Sequence, residues 1–168
     1  MEKTITVLNT LKKRGLIEEY AIGGGIATIF YTEPLLTYDL DVFVMVKQKA
    51  ASKLIPFAPI YRYLEDKGYA WRGEHIVIEN MPVQLLPADG ELEQGAVTHA
   101  QKITYKGVSA KVIRAEWLMA LLVKAGRPKD REKVNRLLEQ TPVNRKLLTR
   151  LLARFRLDEK FQTWQAGH

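Results

Sequence analysis

The sequence predicts an α+β fold, a mixed α/β sheet with flanking helices and a helical segment at its C-terminal end, on three observations. Apolar residues recur in the order helix, strand, helix, strand, helix and then several strands, without an internal repeat. From Ala115 onward the pattern turns to helices alone. The composition, 46% hydrophobic and 27% charged over 168 residues, suits one globular unit that buries about 70% of the surface of its unfolded chain. The expected division is a core over residues 1–114 and a helical segment over 115–168 packed on it.

Ile5, Leu8, Leu11 and Leu16, with Lys12, Lys13 and Arg14 on other positions, predict an amphipathic helix that Gly15 ends. Tyr20 to Ile22 then runs as a short strand into Gly23, Gly24 and Gly25. A helix over Ile26 to Tyr31 starts at those glycines and is closed off by Pro34. Asp39 to Val46, rich in β-branched residues, is a buried strand. Pro56 and Pro59 open a second helix whose body, Ile60 to Lys67, ends at Gly68. Tyr69 to Arg72, His75 to Glu79 and Val83 to Leu86 read as strands, separated by Gly73-Glu74 and Asn80-Met81-Pro82. Residues 88–100 are polar and punctuated by glycine. Lys102 to Tyr105 and Ser109 to Ile113 make a hairpin around Lys106-Gly107-Val108. Helices follow over Ala115 to Ala125, Asp130 to Glu139 and Asn144 to Phe155, with a weaker one to Trp164. Gly126, Pro128 and Thr141-Pro142 break them.

The chain has no cysteine and three histidines, His75, His99 and His168. Disulfide scaffolds, thiolate zinc sites, iron–sulfur clusters and thiol nucleophiles are excluded together. None of the histidines has a partner at ligand spacing. The N-terminal stretch carries charges throughout, and no run approaches the ~18 apolar residues of a membrane span, so a cytoplasmic protein is the expectation. The formal net charge of +7 is uneven: residues 1–100 hold 10 Lys/Arg against 13 Asp/Glu, and residues 101–168 hold 16 against 6.

Three glycines between a strand and a helix let the backbone approach a ligand closely, and a helix N-terminus offers free N–H groups suited to phosphate. A simple tight turn is the other reading. Asp39 and Asp41, two apart on a strand, point to the same face, while Leu40, Val42, Val44 and Val46 fill the opposite one. Two converging carboxylates suit a hard divalent cation such as Mg²⁺; solvated acids at a strand start are the alternative.

The run from Gly23 to Phe43, with Thr37 just before the acidic pair, resembles the signature of the nucleotidyltransferase superfamily. The likeness extends to its minimal nucleotidyltransferases and abortive-infection toxin-like branch. A second patch, Ala115 to Asp130 with Lys124, Arg127 and Lys129, is similar to the helix, turn and helix that follow the sheet in that toxin-like branch. The resemblance spans roughly residues 17–140. It implies a nucleotidyltransferase-like sheet that binds a nucleoside triphosphate at Gly23, Gly24, Gly25, Thr37, Lys124, Arg127 and Lys129. It further implies Mg²⁺, as one ion or two, on Asp39 and Asp41, and transfer of a nucleoside monophosphate to a hydroxyl of a protein, an RNA or a small molecule. The family's third carboxylate falls on Gln84, a neutral side chain and a far poorer base. Glu79 and Asp89 are the substitutes within reach of the sequence. Leu35 and Leu36 stand where many relatives have a basic residue. The alternative implied by Gln84 is a catalytically degenerate relative that binds nucleotide or RNA, or acts in a toxin–antitoxin pair.

Lys124, Arg127 and Lys129 either reach a triphosphate or decorate a helix C-terminus, and Asp130 caps the next helix. Arg131, Lys133, Arg136, Arg145, Lys146, Arg150, Arg154 and Arg156 form a basic surface. Such a surface is either a solvated face or a contact for RNA, tRNA in particular, or for a partner protein. Trp71, Trp117 and Trp164 are expected in the packing, Tyr38 in the core and Tyr31 at the border of the nucleotide pocket.

Overall fold

In a computed structural model that describes residues 1–47 and 57–167, seven strands form one mixed sheet accompanied by eight helices. The expectations at Pro56 and His168 lie outside the described residues. The elements run α1 (Glu2–Lys13), β1 (Glu19–Ile22), α2 (Gly24–Tyr31), β2 (Leu40–Met45), α3 (Ala58–Asp66), β3 (Ala70–Arg72), β4 (His75–Ile78) and β5 (Met81–Pro87). They continue with α4 (Glu91–Thr98), β6 (Gln101–Tyr105), β7 (Val108–Val112), α5 (Ala115–Ala125), α6 (Pro128–Gln140), α7 (Arg145–Arg154) and α8 (Asp158–Ala166). The strand order is β3-β4-β5-β2-β1-β7-β6.

β1 and β2 sit at the middle of the sheet and are antiparallel, while β5 and β7 join them from either side in parallel. Their positions follow from their sequences. Tyr20, Ala21 and Ile22 of β1 are all buried, as a central strand requires, and along β2 Leu40, Val42 and Val44 alternate with Asp41 and Phe43. The first set belongs to the main core, to which α1 gives Ile5, Leu8 and Leu11 and α3 gives Ile60 and Leu64. Thr4 fastens α1 to the sheet by donating to the Ile78 carbonyl at 3.1 Å. Tyr20 donates to Asn9 at 2.7 Å, which in turn donates to the Ser109 carbonyl at 2.8 Å.

The β6–β7 turn, Lys106-Gly107, has φ of 47° and 82°, which is the left-handed pair that suits a two-residue hairpin. A second such turn, Glu79-Asn80 with φ of 51° and 65°, links β4 to β5. The sequence predicts this break at Asn80-Met81-Pro82. Met81 and Pro82 belong to β5, and Pro82 lies before Val83, where pairing to β2 begins, so its missing N–H leaves no gap in that ladder.

The stretch from 88 to 100, read only as polar and glycine-punctuated, contains α4. Gly95 and the β-branched Val97 and Thr98 weaken its helical propensity, and packing overrides them. A Cβ on Gly95 would lie 2.4 Å from the Trp117 ring, so glycine is what lets α4 close onto α5. Two aromatics depart from expectation. Tyr38 is 75% exposed because it precedes β2 in an irregular segment where strand alternation does not hold, and Trp71 is 43% exposed on the edge strand β3. Trp71 packs its ring against Tyr61 and donates to Glu65 at 2.8 Å. Trp117 is buried as expected, and Trp164 is partly buried against the core. Among the described residues no helix is long and apolar enough to cross a membrane.

Candidate functional site

The glycine turn closes on three different side chains. A Cβ on Gly23 would meet the Phe43 ring at 2.7 Å, one on Gly24 would fall 1.7 Å from the Asp41 Oδ2, and one on Gly25 would fall 2.4 Å from the Thr37 Oγ1. Gly24 also has φ of +55°, a left-handed backbone that favours glycine on its own account. The three glycines therefore let the start of α2 approach β2 closely enough to face its carboxylate. The first N–H groups of α2 have no side-chain cap, which leaves them available to an anion.

Asp41 is 7% exposed, and Asp39, just before β2, is half-buried and borders the same cavity. Burial, and next the charge of Asp39, push the Asp41 carboxyl above the usual carboxylate range, against the pull of Lys133, Arg127 and Lys129. Thr37 donates to Asp39 at 3.4 Å. Across the parallel ladder Asp41 stands opposite Gln84 of β5, so the neutral side chain occupies the place beside the acidic pair.

Asp41 and Arg127 line two cavities at once. The first, about 410 Å³, is walled by Phe43, Leu86, Leu118, Leu121, Leu122 and Ala125, with Gly24, Gln84, Glu93 and Lys124 as its polar rim. The second, about 490 Å³, is bordered by Gly25, Thr37 and Asp39 on one side and by Lys129, Glu132, Lys133 and Arg136 on the other. Pro34, Leu35, Leu36 and Tyr38 complete it. Asp39, Asp41, Gln84, Gly24, Gly25, Thr37, Lys124, Arg127 and Lys129 thus come together around these two spaces, whereas Gly23 backs onto Phe43 and lines neither.

Several groups were misplaced or missed. Tyr31 does not border the site; it donates to the Ile113 carbonyl at 3.0 Å. Glu79 sits in the β4–β5 turn, where it accepts from Tyr69 at 2.9 Å, and neither it nor Asp89 lines either of these two cavities. Glu93, on the unexpected α4, is 8% exposed and accepts from Lys124 at 2.5 Å. His75, set aside for want of a spaced partner, lies 3.3 Å from Asp39 through its Nε2 because β4 and β2 both flank β5. The basic surface also divides. Lys133 and Arg136 turn into the second cavity, and Arg131 and Arg154 bond within the chain to the Trp164 carbonyl and to Glu91. Arg145, Lys146, Arg150 and Arg156 stay exposed.

Asp130 does more than cap α6. It is fully buried and accepts from Arg127 Nε at 2.7 Å and from Lys133 at 3.2 Å, so one carboxylate holds two cations at the second cavity. Burial alone would raise its pKa, but the hydrogen bond from Arg127 and the charge of Lys133 prevail and hold it below the usual range. We expect Asp130→Asn to destabilise the fold by about 2 kcal/mol, since hydrogen bonds to a buried charge weaken and Lys133 loses its counter-ion. The deficit should be present at neutral pH and vanish only in acid, as pH falls through the depressed folded-state pKa. Urea denaturation of both proteins at pH 7 and in acid checks it; equal midpoints at pH 7 would contradict the clamp.

Among the described residues no group of three or more His, Cys, Asp or Glu gathers as a metal cluster.

No protein-family model matches the chain, and no curated protein matches it. Among solved structures it is similar to an antigenic nucleotidyltransferase-like protein from Paracoccidioides brasiliensis, at 14% identity and a TM-score of 0.57, over 91% of this chain and 87% of that one. It is also similar to the antibiotic-resistance factor ANT(2'')-Ia, at 14% identity and a TM-score of 0.57, over 100% of both chains. At this identity the likeness is one of fold.

Proposed function

We propose that this chain, whose fold is nucleotidyltransferase-like, moves a nucleoside monophosphate from a triphosphate to a hydroxyl acceptor and releases pyrophosphate. The observation that carries the reading is the buried Asp41 carboxylate, beside Asp39, at the junction of a cation-lined cavity and an apolar one.

The residues fit Mg²⁺. Both carboxylates offer hard oxygen donors, the lack of a side chain at Gly24 keeps the Asp41 Oδ2 clear, and a cation would offset the burial and the Asp39 charge that together raise the Asp41 pKa. Asp39 and Asp41 would hold one ion or two. When bound, Mg²⁺ neutralises phosphate charge and polarises the α-phosphoryl group.

The chain's own groups do the rest. Arg127, Lys129, Lys133 and Arg136 hold the β- and γ-phosphates by charge-assisted bonds, with Asp130 fixing the first and third of these cations. The free N–H groups at the start of α2 add donors for a phosphate oxygen, and Thr37 orients Asp39. Gln84 offers an amide that orients but does not take up a proton.

Gln84 favours a second reading, a chain that binds triphosphate without transferring it. Calorimetry with ATP, in Mg²⁺ and in EDTA, comes first. Binding at least tenfold tighter with Mg²⁺ is expected, because the carboxylates and the triphosphate are all negative. Equal affinity in EDTA would remove the metal, and no binding in either condition would remove both readings. Transfer of label from α-labelled ATP then separates the enzyme from the binder.

A further inference from the structure

Resting on the transfer reading above, we infer that the apolar cavity is the acceptor site and that the acceptor is a small molecule bearing a hydroxyl on an apolar body. Phosphoryl displacement runs in line, with the attacking and leaving oxygens on opposite sides of phosphorus. The cations that suit the leaving pyrophosphate, Lys129, Lys133 and Arg136, lie on the second-cavity side of Asp41. A hydroxyl attacking beside Asp41 therefore enters from the first cavity.

The walls state the chemistry of the occupant. About 410 Å³ lies in the range of small-molecule pockets and is too little for an RNA helix or a folded protein surface. Six apolar side chains, from Phe43 to Ala125, would desolvate the body of the ligand. A polycation is disfavoured, since Lys124 and Arg127 stand at the rim and Glu93 is already paired to Lys124.

Glu93 supplies the acid that Gln84 does not. Its Oε1 accepts from Lys124, while its Oε2 is buried without a hydrogen-bond partner. That oxygen is closed to solvent and lies against Gly90, 2.4 Å from where a Cβ there would fall, so an acceptor hydroxyl would meet the carboxylate where Glu93 lines the cavity, beside Lys124. In the step that follows, the hydroxyl oxygen bonds to the α-phosphorus. The bond from that phosphorus to the bridging oxygen breaks, pyrophosphate leaves with the electron pair, and the hydroxyl proton passes to the Glu93 carboxylate.

The test uses 2-naphthol, a hydroxyl on a flat apolar body, with the 168-residue chain, ATP and Mg²⁺. Fluorescence titration should show saturable naphthol binding that weakens at least tenfold in Leu121→Trp, which fills the cavity, and in Ala125→Trp. Ala125 is exposed, so that variant keeps the fold even if the first does not. ATP affinity by calorimetry should stay within twofold in both. Glu93→Gln should bind naphthol within threefold of the parent yet transfer label to it at least 100-fold more slowly, a split that a merely structural role would not give. With α-labelled ATP, label should pass to naphthol and not to tRNA, casein or a polycationic amino sugar. Absent naphthol binding, naphthol binding indifferent to both tryptophans, or label on one of the other acceptors would overturn the inference while leaving nucleotide transfer open. Loss of ATP affinity in Ala125→Trp would give the cavity to the nucleobase instead. If the parent protein fails to bind ATP with Mg²⁺, the transfer reading falls and takes this inference with it.

Discussion

Asp41→Asn is expected to abolish nucleotide transfer while making the protein more stable. Transfer should fall on the order of 10³-fold or more, because several kcal/mol of charge stabilisation at the phosphoryl group depend on the metal that this carboxylate would hold. Stability moves the other way. Asp41 is buried beside Asp39, and its pKa in the folded protein lies above the ordinary carboxylate value. The native state therefore holds that proton more readily than the unfolded chain does. Stability is gained as pH falls from the raised native pKa toward the ordinary one, and at neutral pH the ionised group works against the fold. An asparagine removes both the charge and this pH gradient, which is the stability–activity trade expected of a functional carboxylate. Thermal melts from pH 4 to 8 should show a higher Tm for the variant at pH 7 and convergence in acid. Adding ATP and Mg²⁺ at about 100 times Kd should stabilise the parent by about 2.7 kcal/mol and leave the variant nearly unmoved. A variant that melts lower at pH 7, or transfers at the parent's rate, would contradict this role.

Much of this architecture was legible because its signals are local. The Gly23–Gly25 turn, the alternation of Leu40, Val42 and Val44 against Asp41, and the Lys106-Gly107 hairpin each depend on neighbours in sequence, and each formed as expected. The acidic pair, Gln84 and Arg127 could be named for the site because the spacing of a known family carried them. What the sequence hid depends on tertiary contact. α4 has a poor helix sequence and exists because Gly95 admits Trp117, so Glu93 had no visible reason to be in the site. Two signals for α4 were present in hindsight, acids in the first turn at Glu91 and Glu93 and an apolar pair at Leu92 and Ala96. Lys133 and Arg136 looked like solvated cations because nothing local reveals that α6 turns that face toward β2. His75 reaches Asp39 across a strand, a relation set by the order β4-β5-β2 and by no spacing along the chain.

Glu93→Gln should lower transfer by roughly 10² to 10⁴, the usual contribution of a positioned proton acceptor, and Gln84→Asp in that background should restore a large part of it. The rescue follows from geometry. Gln84 stands opposite Asp41 in the parallel ladder, and both it and Glu93 line the first cavity, so a carboxylate at position 84 would reach the same acceptor from another wall. In the parent background Gln84→Asp should change transfer by less than about tenfold, because a proton acceptor is already present and a third acid near Asp39 and Asp41 adds repulsion. Glu79→Gln, in a turn that lines neither of these cavities, should leave the rate unchanged. Transfer of label from α-labelled ATP into cell extract, run with the parent, the three single variants and the double variant, reads all of these. A rise of 10² or more from Gln84→Asp alone would mean that the parent has no working base and that Glu93 is a partner for Lys124 and nothing else. Should every protein be inert while still binding ATP with Mg²⁺, the acidic pair serves binding alone, and Gln84 marks the place where catalysis was given up.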